Sequence, residues 1–329
     1  GIIDTGVEFA RSSGGPGATR VTSVASGSNA ASRLGFNIHE DLGGGMYAGA
    51  RLETGLESDT GANSSAVYFN RASFVKLGGA WGEVRLGRDY TPGFHVLQQG
   101  DINGLNLYGS AGTFTQLGPS AFTRSDNGIN YVSPELMHTV IRATYSLGLE
   151  NSAPPKDAGR LAAISAIFDN KTVLIGAYYQ RRSDVFPAGS MTTQHATSTG
   201  VAGRWNLGAF SVGAGAARWD PAGPDTVTSG EVRSWWLGAS VKVGVGEFRA
   251  QGGQLRRSSP GAIKPEATLY AVSYLHPLSK RTTLYATYGT LKNNHTANFR
   301  LEASSRTVPL PVANGVDTRG LALGITHRF

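Results

Sequence analysis

The last ten residues, 320–329, read Gly-Leu-Ala-Leu-Gly-Ile-Thr-His-Arg-Phe. Apolar side chains occupy every second position from Leu321 to Ile325, His327 and Phe329 continue that face, and small or polar residues lie between them. Successive side chains of a strand point to opposite faces, so a period of two residues predicts a strand with one apolar and one polar face. This stretch therefore predicts a half-buried β-strand that runs to the last residue.

The same alternation recurs along the chain. It is clear in 33–39, where Leu34, Phe36 and Ile38 share a face, and in 47–54, where Ala48, Ala50 and Leu52 do. A helical period of 3.6 residues is nowhere sustained. Two candidate strands, 162–169 and 172–181, alternate ambiguously. The pattern predicts an all-β protein.

The connections between these strands alternate strictly between short and long. Short links rich in Gly, Asn and Pro, as hairpin turns require, are predicted at 43–45, 78–80, 133–138, 170–171, 207–209, 244–246 and 277–280. Longer polar links are predicted at about 10–31, 57–66, 90–121, 150–159, 182–195, 220–230, 257–265 and 293–316. Seven turns and eight loops separate sixteen strands.

An even number of strands, with short turns at one rim and long loops at the other, is typical of an outer-membrane β-barrel. A soluble sandwich or propeller has no reason to segregate its loops by length. In hydrocarbon every backbone donor and acceptor needs a partner, so the sheet must close on itself. Sixteen strands enclose more space than side chains fill. We therefore predict one domain, 1–329, forming a sixteen-stranded antiparallel transmembrane barrel around a water-filled lumen.

Composition excludes several other classes. The chain has no cysteine, which excludes disulfide scaffolds, thiol catalysis and Cys-based zinc sites. Its net charge is +7, but no basic run exceeds two residues, which disfavours nucleic-acid binding. The seven histidines are scattered, and no phosphate-binding loop, His-Glu helix pair or Gly-x-Ser-x-Gly elbow occurs. We expect no enzyme activity, metal or cofactor. The chain opens inside an apparent strand, which suggests a processed or incomplete start.

Several short segments, spread in order over the whole chain, resemble a known family. They are Ser32-Arg33-Leu34-Gly35-Phe36, Glu40-Asp41-Leu42-Gly43-Gly44-Gly45, Phe69-Asn70-Arg71, Gly87-Arg88-Asp89-Tyr90-Thr91-Pro92, Arg124-Ser125-Asp126-Asn127 with Tyr131, Leu278-Ser279-Lys280-Arg281-Thr282 and the terminal stretch 324–329. Together they resemble the trimeric general porins of Gram-negative bacteria, in particular the beta-proteobacterial and neisserial branch. The region from about 150 to 265 matches mainly by pattern.

The resemblance implies a passive diffusion channel for small hydrophilic solutes and anions in the bacterial outer membrane. It implies short periplasmic turns, long extracellular loops and a homotrimer. The partners it implies are outer-membrane lipids, lipopolysaccharide and, during biogenesis, the barrel-assembly machinery. Two other functions stay open: a substrate-specific channel and an outer-membrane barrel enzyme such as a protease or phospholipase.

The resemblance also implies a constriction. The third long connection, about 90–121, is the longest, and the family folds this loop into the barrel. Arg33, Arg71 and Arg124 match the family's basic cluster on the facing wall, and alternation turns Arg142 to the same face. Asp101 and Glu53 are the expected acidic side. An excess of basic groups predicts mild anion preference. The alternative is that these arginines pair with acids such as Glu53, Asp101 or Asp126 and serve folding alone.

Arg88 shares its alternation with Val84 and Leu86 and is expected to point outward, away from this cluster. The terminal Phe329 has two interpretations. It resembles the signal that the barrel-assembly machinery recognises, or it merely ends an ordinary strand.

Overall fold

The computed structural model describes residues 1–13, 19–115, 123–150, 155–186, 188–189, 191–223, 230–260, 263–303, 306–307, 310 and 313–329. Nineteen strand segments and two short helices occur within them. They are β1 (Ile2–Ser13), β2 (Arg20–Ser26), β3 (Arg33–Gly43), β4 (Met46–Gly55), β5 (Ala72–Gly79), β6 (Gly82–Tyr90), α1 (Pro92–Gly100), α2 (Ala111–Thr115), β7 (Arg124–Val132), β8 (Thr139–Ser146), β9 (Leu161–Asp169), β10 (Val173–Val185), β11 (Thr193–Leu207), β12 (Phe210–Asp220), β13 (Val232–Val243), β14 (Gly246–Arg257), β15 (Glu266–Pro277), β16 (Thr282–Asn293), β17 (Glu302–Ala303), β18 (Arg306–Thr307) and β19 (Asp317–Arg328). Within the same residues, none of the helices is long and apolar enough to cross a membrane.

The sheet closes on itself. From β3 to β16 each strand pairs antiparallel with the next, β16 pairs with β19, and β1 pairs with β19 from Ile2 opposite Arg328 to Ser13 opposite Asp317. β2 and β3 together form the second strand of the barrel, with an interruption at 27–32 between them. β2 pairs with β1 from Thr5 to Arg11, and β3 pairs with β1 at Ile2. The hairpin of β17 and β18 lies outside the barrel sheet. The predicted sixteen-stranded barrel is confirmed.

Short turns and long loops lie at opposite rims, as predicted. The turn between β3 and β4 carries Gly43, Gly44 and Gly45 at φ values of 80°, 60° and 78°, a left-handed backbone that favours glycine. The first long connection is shorter than the predicted 10–31, because β1 continues to Ser13 and β2 resumes at Arg20. Residues 27–32 leave the wall and contact the third loop, where the Leu107 N–H donates to the Ser28 carbonyl at 3.0 Å.

The apolar core lies inside the barrel, between the third loop and the wall. Leu97, Tyr108 and Phe114 of the loop are fully buried with Trp236 and Leu269 of the strands. The Phe114 ring stacks on Trp236 with centroids 6.1 Å apart. Burying side chains of this size stabilises the loop by roughly 1.5–3 kcal/mol each. The loop is therefore packed tightly against one side of the lumen wall.

Candidate functional site

The third loop runs along the inner face of the wall from β10 to β16 and is fixed there by polar contacts. The Gly93 N–H donates to Gln180 Oε1 at 2.7 Å, and Gln251 Nε2 donates to the Gly109 carbonyl at 2.6 Å. Gly109 has a φ of +73°, and a Cβ there would lie 2.4 Å from the Ala271 Cβ. Only glycine permits this approach, so the loop backbone rests directly on the wall.

The loop contains two helices that the alternation analysis did not predict. Helix α1 begins with Pro92 at its first turn, where a missing N–H costs nothing, and it ends at Gly100. It packs against β9, β10 and β11, which explains why the segments 162–169 and 172–181 alternate ambiguously. Ile167 and Leu174 face the helix and are buried, whereas Ile164 and Ile175 face outward, each 52% exposed.

Opposite the loop, several guanidiniums converge on one carboxylate. Arg71 Nε lies 2.8 Å from Glu53 Oε1, Arg51 Nη2 lies 2.7 Å from Glu53 Oε2, and Arg33 Nε lies 3.9 Å from the same oxygen. The Arg33 and Arg51 side chains remain 27% and 41% exposed, whereas Arg71 is almost covered. Glu53, on the lumen face of β4, thus lies among the arginines of the wall.

Tyr90, the last residue of β6, joins Arg124 to this group. Its hydroxyl oxygen accepts an N–H from Arg71 Nη2 at 2.7 Å and another from Arg124 Nη2 at 2.6 Å. The Arg124 guanidinium also lies over the Tyr90 ring, 4.3 Å from its centroid. The Tyr90 ring also stacks on the ring of Phe94 of α1, with the two centroids 3.9 Å apart. Tyr90 therefore holds two like charges together and couples them to the loop helix.

A second charged group lies nearer the turn rim. Arg85 contacts Glu83 at 2.6 Å and Asp89 at 2.7 Å, and Lys76 lies 3.4 Å from Glu83. The electrostatic neighbours of Arg142 are Arg85, Asp89 and Glu83, which places it with this second group. The structure thus brings Arg33, Arg71, Arg124 and Glu53 together and places Arg142 apart from them.

Asp101 is not where the sequence analysis expected it. It has no exposed surface, and its carboxylate accepts N–H groups from Asn103 at 3.1 Å, Leu105 at 2.8 Å and Ala111 at 3.0 Å. Burial raises the pKa of this carboxyl, and the backbone donors oppose that shift. A covered carboxylate cannot contact a permeating ion. Asp101 instead organises the tip of the loop, which corrects its expected role as the acidic side of the lumen.

His95 of α1 faces the arginines of both groups. Burial, and to a smaller extent the charges of Arg142, Arg85 and Arg51, lowers the pKa of His95 to about 3. At neutral pH the imidazole is therefore neutral and adds no positive charge.

The two wall groups contain more cations than carboxylates. They comprise seven cationic side chains and three carboxylates: Arg33, Arg51, Arg71, Arg124, Lys76, Arg85 and Arg142, with Glu53, Glu83 and Asp89.

Sequence reasoning did not include Arg51, Tyr90 or Arg85 among the site residues. The alternation of side chains along the strands was enough to place two of them in the lumen. Arg51 shares a face with Glu53, and Arg85 lies between the outward-facing Val84 and Leu86. No sequence signal indicated that Tyr90 would bridge two arginines. Arg88 lies in a bulge between Gly87 and Asp89. It forms an ion pair with Asp126, and its Nε donates to the Asn70 carbonyl at 2.7 Å.

Comparison with known proteins agrees with this architecture. The model of the Gram-negative porin family matches residues 1–296. Outer membrane porin protein 32 of Delftia acidovorans is 30% identical over 338 residues, covering 100% of this chain and 93% of the relative. The structure of an anion-selective porin from Comamonas acidovorans superposes with a TM-score of 0.83 at 26% identity, covering 100% of this chain and 98% of that one.

A more distant structure, the trimer form of OmpT from Vibrio cholerae, has a TM-score of 0.68 at 14% identity, covers 100% of this chain and 99% of that one, and supports the fold alone. The family match and the full-length relatives identify a passive channel of the outer membrane rather than an enzyme. By its sequence, its closed barrel and its inward third loop, this chain belongs to the Gram-negative porin family.

Proposed function

We propose that this channel is a general diffusion pore for small hydrophilic solutes with a mild preference for anions. The observation that carries this proposal is the convergence of Arg33, Arg51 and Arg71 on the single carboxylate of Glu53. Guanidiniums stay charged even when they are crowded, so one carboxylate leaves the group with a net positive charge. A charge-lined constriction of this kind concentrates ions of the opposite sign.

In this proposal the third loop and the arginine wall form the narrowest part of the lumen. Arg33 and Arg124 meet permeating anions, while Arg71 and Glu53 hold the group in place. Arg142 contributes from the second group, nearer the turn rim. The related Comamonas protein is described as an anion-selective porin, which supports the sign of the preference.

A planar bilayer recording tests the sign. With purified protein and a potassium chloride gradient across the membrane, we expect a reversal potential displaced toward the chloride equilibrium potential. A displacement toward potassium would reject the anion preference. Flux of small sugars should rise linearly with concentration, whereas saturation by one solute would indicate a substrate-specific channel instead.

We further propose that the chain assembles as a homotrimer embedded in outer-membrane lipids. OmpT of Vibrio cholerae, which shares the fold, is described in a trimer form. Mass measurement of the protein in detergent tests the proposal, and a purely monomeric species would contradict it.

We also propose that Phe329 is a recognition signal for the barrel-assembly machinery. The side chain is 60% exposed, so its removal leaves no cavity in the folded protein. Its backbone N–H donates to the Gly1 carbonyl at 3.2 Å, and the Gly1 amino group donates to the Phe329 carbonyl at 2.8 Å. We expect deletion of Phe329 to lower the amount of barrel in the outer membrane several-fold in vivo.

The control for this prediction is refolding in vitro, where no assembly machinery is present. The truncated chain should refold into detergent nearly as well as the full chain. Normal membrane levels of the truncated protein would contradict a signal role.

A further inference from the structure

A small cavity lies at the loop ends of four neighbouring strands, β7 to β10. Arg124, the first residue of β7, and Ser146, the last of β8, both line it, together with residues at the start of β9 and the end of β10. Its volume is about 280 Å³, just below the roughly 300–1,000 Å³ typical of pockets that hold drug-sized ligands. We call it the loop-rim cavity.

The loop-rim cavity lies on the lumen side of the wall. Ser146 of β8 is paired in register with Leu161 of β9, and both are buried and line the cavity. Tyr145, the neighbour of Ser146, is exposed on the outer face. Arg124 also belongs to the arginine cluster described above. A solute in this cavity therefore lies beside the proposed constriction.

Two ion pairs line the cavity, and they differ in how the carboxylate is used. Arg182 Nε donates to Asp184 Oδ1 at 2.5 Å and its Nη2 donates to Asp184 Oδ2 at 2.8 Å, so both oxygens have a partner. Arg88 Nη1, in contrast, donates to Asp126 Oδ1 alone. The Asp126 side chain is 66% exposed, and its Oδ2 has no partner among the described residues. This oxygen remains able to accept a hydrogen bond from a ligand.

Two hydrogen-bond donors lie next to Asp126 in the chain and also line the cavity. Arg124 donates from Nε to the Arg71 carbonyl at 3.1 Å and from Nη2 to the Tyr90 hydroxyl oxygen at 2.6 Å, and within the described part of the chain its Nη1 has no partner. The Ser125 side chain is 5% exposed, and its hydroxyl has no partner there either. A buried hydroxyl without a partner costs free energy, so this one indicates a ligand group in the cavity.

Between the two ion pairs the lining is apolar. Asp126 is on β7 and Arg182 on β10, and the strands β8 and β9 lie between them in the sheet. The residues of this stretch that line the cavity include Leu149, Ala158 and Leu161. A ligand therefore meets charges of both signs on β7 and hydrocarbon beside them.

We propose that the loop-rim cavity binds zwitterionic α-amino acids with aliphatic side chains. The α-ammonium group donates to Asp126 Oδ2, and the α-carboxylate accepts from Arg124 Nη1 and from the Ser125 hydroxyl. The aliphatic side chain lies against Leu149 and Leu161. Arg124 and Asp126 are two residues apart on one strand, or about 7 Å, so one small ligand is able to contact both.

The two charges on the wall select for a zwitterion. A simple anion would satisfy Arg124 but would lie beside the like charge of Asp126, and a simple cation would meet the reverse arrangement. Such repulsion is a source of specificity. This inference rests on the proposed diffusion function and names one class of small hydrophilic solute that is held beside the constriction during passage.

The test uses three probes that share one branched hydrocarbon chain. Leucine carries both charges, its deaminated analogue isocaproate carries only the carboxylate, and its decarboxylated analogue isoamylamine carries only the ammonium group. Binding to the full chain in detergent is measured by ligand-observed NMR, and interruptions of single-channel current are recorded with the same probes. Leucine should bind on the order of tenfold more tightly than either analogue, since each loses one charge-assisted hydrogen bond.

Three variants locate the binding. Asp126→Asn removes the partner of the ammonium group and should weaken leucine about tenfold, while isocaproate binds no more weakly than before. The matched control, Asp220→Asn, removes a carboxylate that also accepts from one arginine nitrogen, Arg218 Nη2 at 3.1 Å, but does not line the cavity. It should change neither probe. Ser125→Ala removes a hydroxyl that has no partner in the described chain, so the fold loses no hydrogen bond, and it should weaken leucine and isocaproate alike.

Equal binding of leucine and isocaproate by the native chain would overturn the proposal, because the arginines alone would then account for it. So would equal effects of D126N and D220N, or unaltered leucine binding in both D126N and S125A. Reversal potentials are recorded on the same samples. A cation-selective native pore would reject the proposed anion preference and leave the leucine result intact, whereas absence of leucine binding would leave the diffusion function untouched.

Discussion

Replacing Arg33, Arg71 and Arg124 together by glutamine is expected to abolish the anion preference of the pore. In the native cluster Arg33, Arg51 and Arg71 lie around the single carboxylate of Glu53, and Arg124 is joined to them through Tyr90 and the Arg71 carbonyl. The triple variant leaves one guanidinium beside one carboxylate, so the net charge of the group falls to zero. The anion-to-cation permeability ratio should then fall toward one, a change of at most about tenfold. Reversal potentials in planar bilayers measure this ratio, and the difference from the native pore should shrink at high salt.

A charge change of the opposite sign provides the control. Glu53→Gln keeps an oxygen that can accept the Arg71 N–H, which lies 2.8 Å away, but it removes the negative charge. This variant should raise the anion preference. If the triple variant is as anion-selective as the native protein, selectivity arises elsewhere in the lumen and the arginines serve folding alone.

Tyr90 offers a finer probe of the same cluster. Its ring is held between Phe94 and Arg124, whereas its hydroxyl oxygen accepts two guanidinium N–H groups. The two contacts are separable in principle, because phenylalanine preserves the ring and lacks the oxygen. The positions of Arg71 and Arg124 therefore depend on the residue at which the wall strand β6 ends and the third loop begins.

The fold was predictable because its main determinant is local. The alternation of side chains and the lengths of the connections depend only on neighbours in the sequence. They were sufficient to predict the number of strands, and to predict that short turns lie at one rim of the barrel and long loops at the other. The ambiguity of 162–169 and 172–181 had a tertiary cause. Helix α1 covers the inner face of these strands. Ile167 and Leu174 are therefore as buried as residues in the core of a soluble protein, whereas Ile175 faces outward.

The candidate site was predictable only in part. Alternation gives the face of a strand residue, which is why Arg33, Arg71 and Glu53 were expected toward the lumen. A loop has no such period. Asp101 was the only acidic residue in the predicted loop beyond Asp89, and nothing in the sequence showed that three backbone N–H groups would enclose it. The acidic partners of the wall, Glu53, Glu83 and Asp89, come from the strands themselves.

Detaching the third loop is the change expected to alter conduction most. Leu97→Ala and Phe114→Ala remove two fully buried side chains from the interface between the loop and the wall. Such truncations cost about 2–5 kcal/mol each, whereas each hydrogen bond that holds the loop contributes roughly 1 kcal/mol. The loop should therefore leave the wall while the barrel, closed by backbone pairing from β1 to β19, persists. We expect a larger and noisier single-channel conductance, together with new protease cleavage between residues 91 and 115.

The matched control removes the same two residue types from the outer face. Leu237 and Phe248 are 55% and 50% exposed there, so L237A/F248A takes away equal apolar volume without touching the loop. Its conductance should equal that of the native pore. If L97A/F114A also conducts like the native pore while protease cuts the loop, the constriction lies elsewhere along the lumen. If neither changes, the polar contacts at Gly93 and Gly109 suffice to hold the loop, and packing on Trp236 is dispensable for its position.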